Sequence, residues 1–223
     1  MKFNKFCSVF IITAASTFFS CSNEPKENTD EHSQNNSSEA TTIADTNKNA
    51  TTTTPVKDNW LIIPGECAGN TCIGENTEKL SAILGDPDFA DAAMGKAWLT
   101  WYGSKDEHNN RSQLNIYTTY KDSNMREKTV QIILVTSPKF HTAADLHVYS
   151  DYKLIQTHYP ALSFSGKYKE DNRIINIYDS EKDGIAFETV KANNQELCTA
   201  IILHKKGENF TDSYIPYHQN PVQ

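Results

Sequence analysis

The chain has 223 residues, 38% of them hydrophobic, with 21 Lys and Arg against 28 Asp and Glu and a formal charge of −7. That acid excess excludes a surface built to track nucleic acid, which needs clustered basic side chains to displace phosphate counterions. It equally excludes adsorption to an anionic membrane by charge alone, and the length suits one domain or two small ones.

Lys2 and Lys5 precede an apolar stretch from Phe6 to Phe19, and Ser20-Cys21 follows. A basic start, an apolar run too short to stay across a membrane and a small residue before the cut make residues 1–20 a secretory signal. Its loss removes Lys2 and Lys5 and takes the charge from −7 to −9. Ser20-Cys21 with a polar tract behind it resembles the lipobox of bacterial lipoproteins. The resemblance implies that Cys21 carries the lipid and that the protein is anchored in the cell envelope, at the outer membrane. Two or three acyl chains, at roughly 0.8 kcal/mol per buried methylene, hold such a protein stably.

Residues 21–57 are Asn, Ser, Thr, Glu and Lys with almost no large apolar side chain, ending in Thr51–Thr54 and Pro55. Such a segment buries too little surface to offset its ordering entropy and is expected to be a disordered tether. Glu24 and Glu27, close behind Cys21, resemble the surface-export signals of some Bacteroidetes lipoproteins, which leaves the outer face of the membrane open.

Cys7 leaves with the signal, so Cys67, Cys72 and Cys198 remain beside Cys21. Cys67 and Cys72 flank Gly69-Asn70, a turn that a short loop or hairpin closes, and a disulfide is the expected state of the pair in an oxidising compartment. Two free thiols or a metal site are the alternatives. By loop entropy so short a loop contributes only about 2 kcal/mol. Cys198 sits in an apolar run and reads as a buried, inert thiol.

From Asp58 onward the chain reads as two copies of one unit, at 58–142 and 143–223. The first opens with Leu61-Ile62-Ile63, followed by a helix with Asn76 as N-cap, Leu80, Ile83 and Leu84 at helical spacing, and Gly85 as the stop. Strands are expected at Ala97–Tyr102, Gln113–Tyr120 and Thr129–Thr136, with Asp86 to Ala93 left as a loop. The second opens with Leu146-His147-Val148 and has a helix capped by Ser150 and ended by Pro160. Its strands are expected at Arg173–Asp179, Gly184–Val190 and Glu196–His204. Lys79-Leu80 matches Lys153-Leu154, and Gln131–Leu134 matches Ala200–Leu203, with offsets of 74 and 69 between copies. The expected fold class is therefore α+β, with two tandem helix-plus-antiparallel-sheet units.

Ile63-Pro64-Gly65, Gly74 and the helix ending Leu84-Gly85-Asp86-Pro87-Asp88 resemble the opening of small envelope proteins of the SmpA/OmlA and β-lactamase-inhibitor-like superfamily. About 30 residues carry this resemblance. The second copy follows it loosely, with Tyr159-Pro160 in place of Leu-Gly-x-Pro. It implies a strand, a short helix and an antiparallel sheet, often in tandem. It also implies a role in interaction, in outer-membrane assembly or in enzyme inhibition through a concave sheet face.

Residues that carry chemistry are sparse. Asp86, Asp88 and Asp91 lack the Gly and the bidentate acid of a calcium loop and read as a solvated helix exit. None of His108, His141, His147, His158, His204 and His218 shows metal-ligand spacing, and His204 reads as a polar residue at a strand end. No Gly-x-Ser-x-Gly elbow or phosphate loop is present. Trp98 and Tyr102 share one strand face while Trp101 points the other way. The three are either all core or, for at least one, a partner surface. The tail from Tyr214 to Gln223 reads as a last short strand or a docking arm. Together these features predict a lipid-anchored envelope protein that acts on an unknown envelope partner, with no catalytic residue, cofactor or metal. An inhibitor or immunity-type protein working through its sheet face is the alternative, and a hydrolase or small-ligand protein with a polar pocket is the second.

Overall fold

The computed structural model describes residues 58–105 and 110–218. The signal, Cys21, the tether, His108 and the last residues of the tail lie outside them. The elements begin with three short strands, β1 (Leu61–Ile63), β2 (Cys67–Ala68) and β3 (Thr71–Cys72), and helix α1 (Thr77–Leu84). Strands β4 (Phe89–Ala93), β5 (Lys96–Lys105), β6 (Arg111–Tyr120) and β7 (Lys128–Val135) follow, then β8 (His141–Thr142) and helix α2 (Tyr152–His158). Next come β9 (Ser163–Glu170), β10 (Arg173–Ser180), β11 (Ile185–Ala192) and β12 (Gln195–His204), and the described chain closes with α3 (Thr211–Tyr214) and a 3-10 turn at Ile215–Tyr217. This is a mixed α+β fold. Among the described residues no helix is long and apolar enough to cross a membrane.

Helix starts follow the side-chain chemistry. Asn76 accepts from the Glu78 amide at 2.7 Å and Asp151 from the Lys153 amide at 2.8 Å, each satisfying an otherwise orphan donor. The expected cap at Ser150 is therefore displaced by one residue: Asp151 caps α2, and Ser150 Oγ accepts from the His147 amide instead. Aligning the caps makes Ile155 the counterpart of Leu80, and both are wholly buried. Leu154, which the sequence match pairs with Leu80, is 47% exposed.

Each half contains four large strands where three were expected. The eight form one sheet in the order β4-β5-β6-β7-β12-β11-β10-β9, antiparallel throughout. Two-residue turns with left-handed backbone close three of its hairpins: Met94-Gly95, Asp171-Asn172 and Asn193-Asn194. Such turns match the twist of paired strands, and Asn, Asp and Gly tolerate them best. The two meanders meet where β7 pairs with β12, with Ile133 opposite Leu203 and Leu134 opposite Ile202. The small strands make a second sheet in the order β3-β2-β1-β8. Gly65 and Gly184 let it touch the β10–β11 turn: the Gly65 amide donates to the Gly184 carbonyl at 3.1 Å, and a Cβ on Gly184 would lie 2.7 Å from Gly65 Cα.

Two apolar clusters lie on opposite faces of the large sheet. One packs Leu80 of α1, Ile155 of α2 and Ile62 of β1 on Ile116, Ile133, Phe187 and Ile201. The other gathers Trp98, Tyr117, Ile202, Phe210 and Tyr214. Leu80→Ala is expected to cost about 2–5 kcal/mol by urea unfolding, and Leu154→Ala to stay within about 0.5 kcal/mol. Equal costs would reject the cap-based alignment of the two helices.

Candidate functional site

The second face of the sheet is concave, and ring contacts show how far it rolls. From β5 to β9 is six strand spacings, about 29 Å in a flat sheet. Yet Tyr217 stacks on Trp98 of β5 at 4.5 Å while the next residue, His218, stacks on Tyr168 of β9 at 3.7 Å. Two adjacent side chains thus bridge the trough. Residues 210–218 run along it, with Phe210 stacked on His204 at 4.7 Å and Tyr214 edge-on to Trp98 at 5.8 Å. Asn209 Oδ1 fixes the start of this segment by accepting from both the amide and the hydroxyl of Thr211. Gly166 admits it at the far side, where a Cβ would lie 2.5 Å from Ile215 Cδ1.

Under the segment lies Glu188, buried in the middle of β11. Tyr168 donates to its Oε1 at 2.7 Å, and Tyr214 donates to the same oxygen. Burial pushes the Glu188 carboxyl up to about 7, against the two tyrosine hydrogen bonds that favour its charged form. Burial and the neighbouring Glu188 hold both tyrosine hydroxyls well above their ordinary range, so they stay donors. Burial lowers His218 to about 4, and its Nε2 is enclosed with no hydrogen-bond partner. Deeper along the face, His204 Nε2 meets Asp179 Oδ1 at 2.9 Å. His204 ends β12, as the sequence suggests, but at 2% exposed it is an interior group paired with an acid.

Because the sheet rolls, its two free edges face each other across a cleft of about 450 Å³. Phe89 and Asp91 of β4 form one wall, Tyr168 to Asp171 the other, and Tyr217 and His218 the floor. Phe89 is 52% exposed and every residue of β4 is open to solvent. Lys169 is the one Lys or Arg in the described lining.

The sequence-singled residues disperse. A disulfide joins Cys67 to Cys72 across β2 and β3 of the small sheet, and Cys198 is buried and free. Trp98 is 6% exposed beneath Tyr214 and Tyr217, so it offers no anchor to a partner while that segment is in place. Trp101 turns to the helical face, where its Nε1 donates to the Gly85 carbonyl at 3.3 Å. Tyr102 is 37% exposed, with the Arg111 guanidinium 5.2 Å from its ring centre. The three aromatics therefore form no common surface. Asp88 accepts from the Tyr102 amide and Asp91 stands on β4 in the cleft, where a solvated loop was expected. Among the described residues no three His, Cys, Asp or Glu are grouped to hold a metal. The sequence reading passed over Glu188 and Tyr168. An acid inside Ile185-Ala186-Phe187-Glu188-Thr189-Val190 was the available signal, since a carboxyl in a buried strand needs a reason.

No protein-family model matches the chain, and no curated protein does. Among solved structures it is similar to a DUF4309 family protein (YjgB) from Bacillus subtilis, at 13% identity, over 64% of this chain and 88% of that one, with a TM-score of 0.36. A likeness that slight carries no argument about fold or role.

Glu188 and His218 pull stability in opposite directions with pH. Between about 4.5 and 7 the folded protein keeps a Glu188 proton that the unfolded chain has lost, so this contribution fades as pH rises. Between about 6.5 and 4 the unfolded chain takes up a His218 proton that the folded one refuses, so this contribution fades as pH falls. Relative to the parent, Glu188→Gln is expected to gain in Tm as pH is raised across this span, and His218→Gln to lose. Thermal melts across that range check both signs.

Proposed function

We propose that this chain is a lipid-anchored cell-envelope protein that binds another envelope protein at the trough of its sheet and catalyses no reaction. The supporting observation is the pair of free sheet edges turned toward one cleft, with β4 exposed along its whole length. An edge strand has backbone donors and acceptors to spare, and an extended segment of a partner can take them up while exposed side chains such as Phe89 set the choice. The cleft holds a histidine and several acids, which is what a hydrolase reading asks for. However, no Ser, Thr or Cys is in its described lining, and the enclosed His218 Nε2 meets no acid. The inhibitor reading asks for an exposed aromatic patch, ideally with Trp98 or Trp101, and burial of Trp98 favours it less.

The proposed fold is a tandem of two helix-plus-sheet units of the SmpA/OmlA or β-lactamase-inhibitor-like kind, at 58–142 and 143–223. Each of α1 and α2 precedes a four-stranded meander, and the meanders join last strand to last strand. The seam register supports the repeat. Under the offset of 69, the pair Ile133–Leu203 maps onto Ile202–Leu134, which is also a pair, as a two-fold axis requires.

Two experiments on the full chain in its own cells test the reading. Cys21→Ser is expected to move the protein from the detergent phase to the aqueous phase of an extract, and an unchanged partition would reject the anchor. A photo-crosslinking residue at Phe89 or Tyr102 is expected to capture one and the same envelope protein, and one at Ile83 on α1 is not. Capture that ignores position, or none from the trough, would reject the binding face.

A further inference from the structure

The cleft between the sheet edges has a chemistry that names its ligand more closely than exposure alone. Its charged lining is Asp91 on one wall and Glu170 and Asp171 on the other, against Lys169. Arg173 touches Glu170 at 3.6 Å, but both groups are about half exposed, and such a surface pair holds little energy. His218 adds no compensating charge at neutral pH, since burial keeps it neutral there. The acids stand beside ring faces. Asp91 is close enough to Tyr217 to help raise its hydroxyl, after burial. Glu170 and Asp171 follow directly on Tyr168 and Lys169, and Phe89 stands two residues before Asp91 on the same face of β4.

Rings and carboxylates on two facing walls suit a long cationic side chain. Its methylene stem packs along Phe89 and Tyr217, and its charged head reaches the carboxylates. A cation over an aromatic ring gains further from the ring's negative face. An anion meets more acids than bases here, and a neutral sugar would use the rings but leave the acid excess unanswered. The volume falls within the ordinary range of ligand sites, about 300–1,000 Å³.

We propose that the cleft between β4 and β9 receives a Lys or Arg side chain carried on an extended segment of the protein partner. This rests on the binding role proposed above and adds the chemistry of the segment. Asp91 and the Glu170–Asp171 pair are its charge-recognising groups, and Phe89 and Tyr217 its packing surfaces.

The test uses the full chain and blocked pentapeptides with a central Arg, Lys, Gln or Glu, with maltotetraose as a neutral sugar. Binding is followed by the indole signal of Trp98, which packs on Tyr217, with Trp60, in the turn before β1 and against Phe140, as the internal control. The Arg and Lys peptides are expected to shift Trp98 and not Trp60, to bind at least tenfold tighter than the Gln peptide and to weaken as salt is raised. Asp91→Asn and Glu170→Gln, both at exposed positions, are each expected to weaken the Arg peptide severalfold. Equal binding of Arg, Gln and Glu peptides, sugar binding that ignores both substitutions, or no Trp98 response to any probe would overturn the proposal. Trough cross-links that persist while the Arg peptide fails would sink this inference and leave the binding role standing. Peptide binding without any cross-link would reject the binding role, and the protein partner with it, and leave only a cleft selective for cations.

Discussion

The antiparallel pairing of β7 with β12 is the interaction on which the remaining structure depends. It joins two meanders into a single eight-stranded sheet, and its residues face both apolar clusters at once. Ile133, Ile201 and Leu203 turn toward the helices, while Ile132, Leu134 and Ile202 turn toward the trough. Without this seam each half would be a four-stranded sheet with an exposed edge, and neither Trp98 nor Glu188 would have a roof. Strand twist acting over eight strands then brings the outer edges round to face each other.

The trough interior is held by polar groups as well as by rings. A carboxyl in such a place is costly unless it keeps its proton or its hydrogen bonds, and Glu188 has two tyrosine donors. Tyr168 belongs to the last strand of the sheet and Tyr214 to the crossing segment, so one oxygen ties three parts of the chain together. The same rings bear on His218, which is why two groups of opposite acid–base character meet on one aromatic surface.

The sequence carries much of this fold locally and little of it globally. Asn76 and Gly85 delimit α1, and the alternation in 113–120 and 173–179 marks strands that the structure contains. Strand β4 is missed because Phe-Ala-Asp-Ala-Ala has neither alternation nor β-branched residues; its backbone pairing with β5 makes it a strand. Strand β9 has Phe164 and Tyr168 at even spacing, but Gly166 between them and a register shift opposite Ile177 blur the pattern. The cap at Asp151 and not Ser150 moves the second helix by one residue, enough to turn Leu154 outward. The cleft is not legible at all, since Asp91 and Glu170 stand on opposite ends of the sheet and meet only because it rolls.

The seam also sets an order of events. Its partners, such as Ile133 and Leu203, are about seventy residues apart, whereas the hairpins close over short connections, three of them two-residue turns. The hairpins therefore have a small entropic barrier and the seam a large one. Residues 210–218 have no trough to lie in until the seam has formed, because their contacts come from β5 on one side and from β9 and β11 on the other. The cover over Trp98 and the enclosure of Glu188 by Tyr214 therefore both depend on the seam.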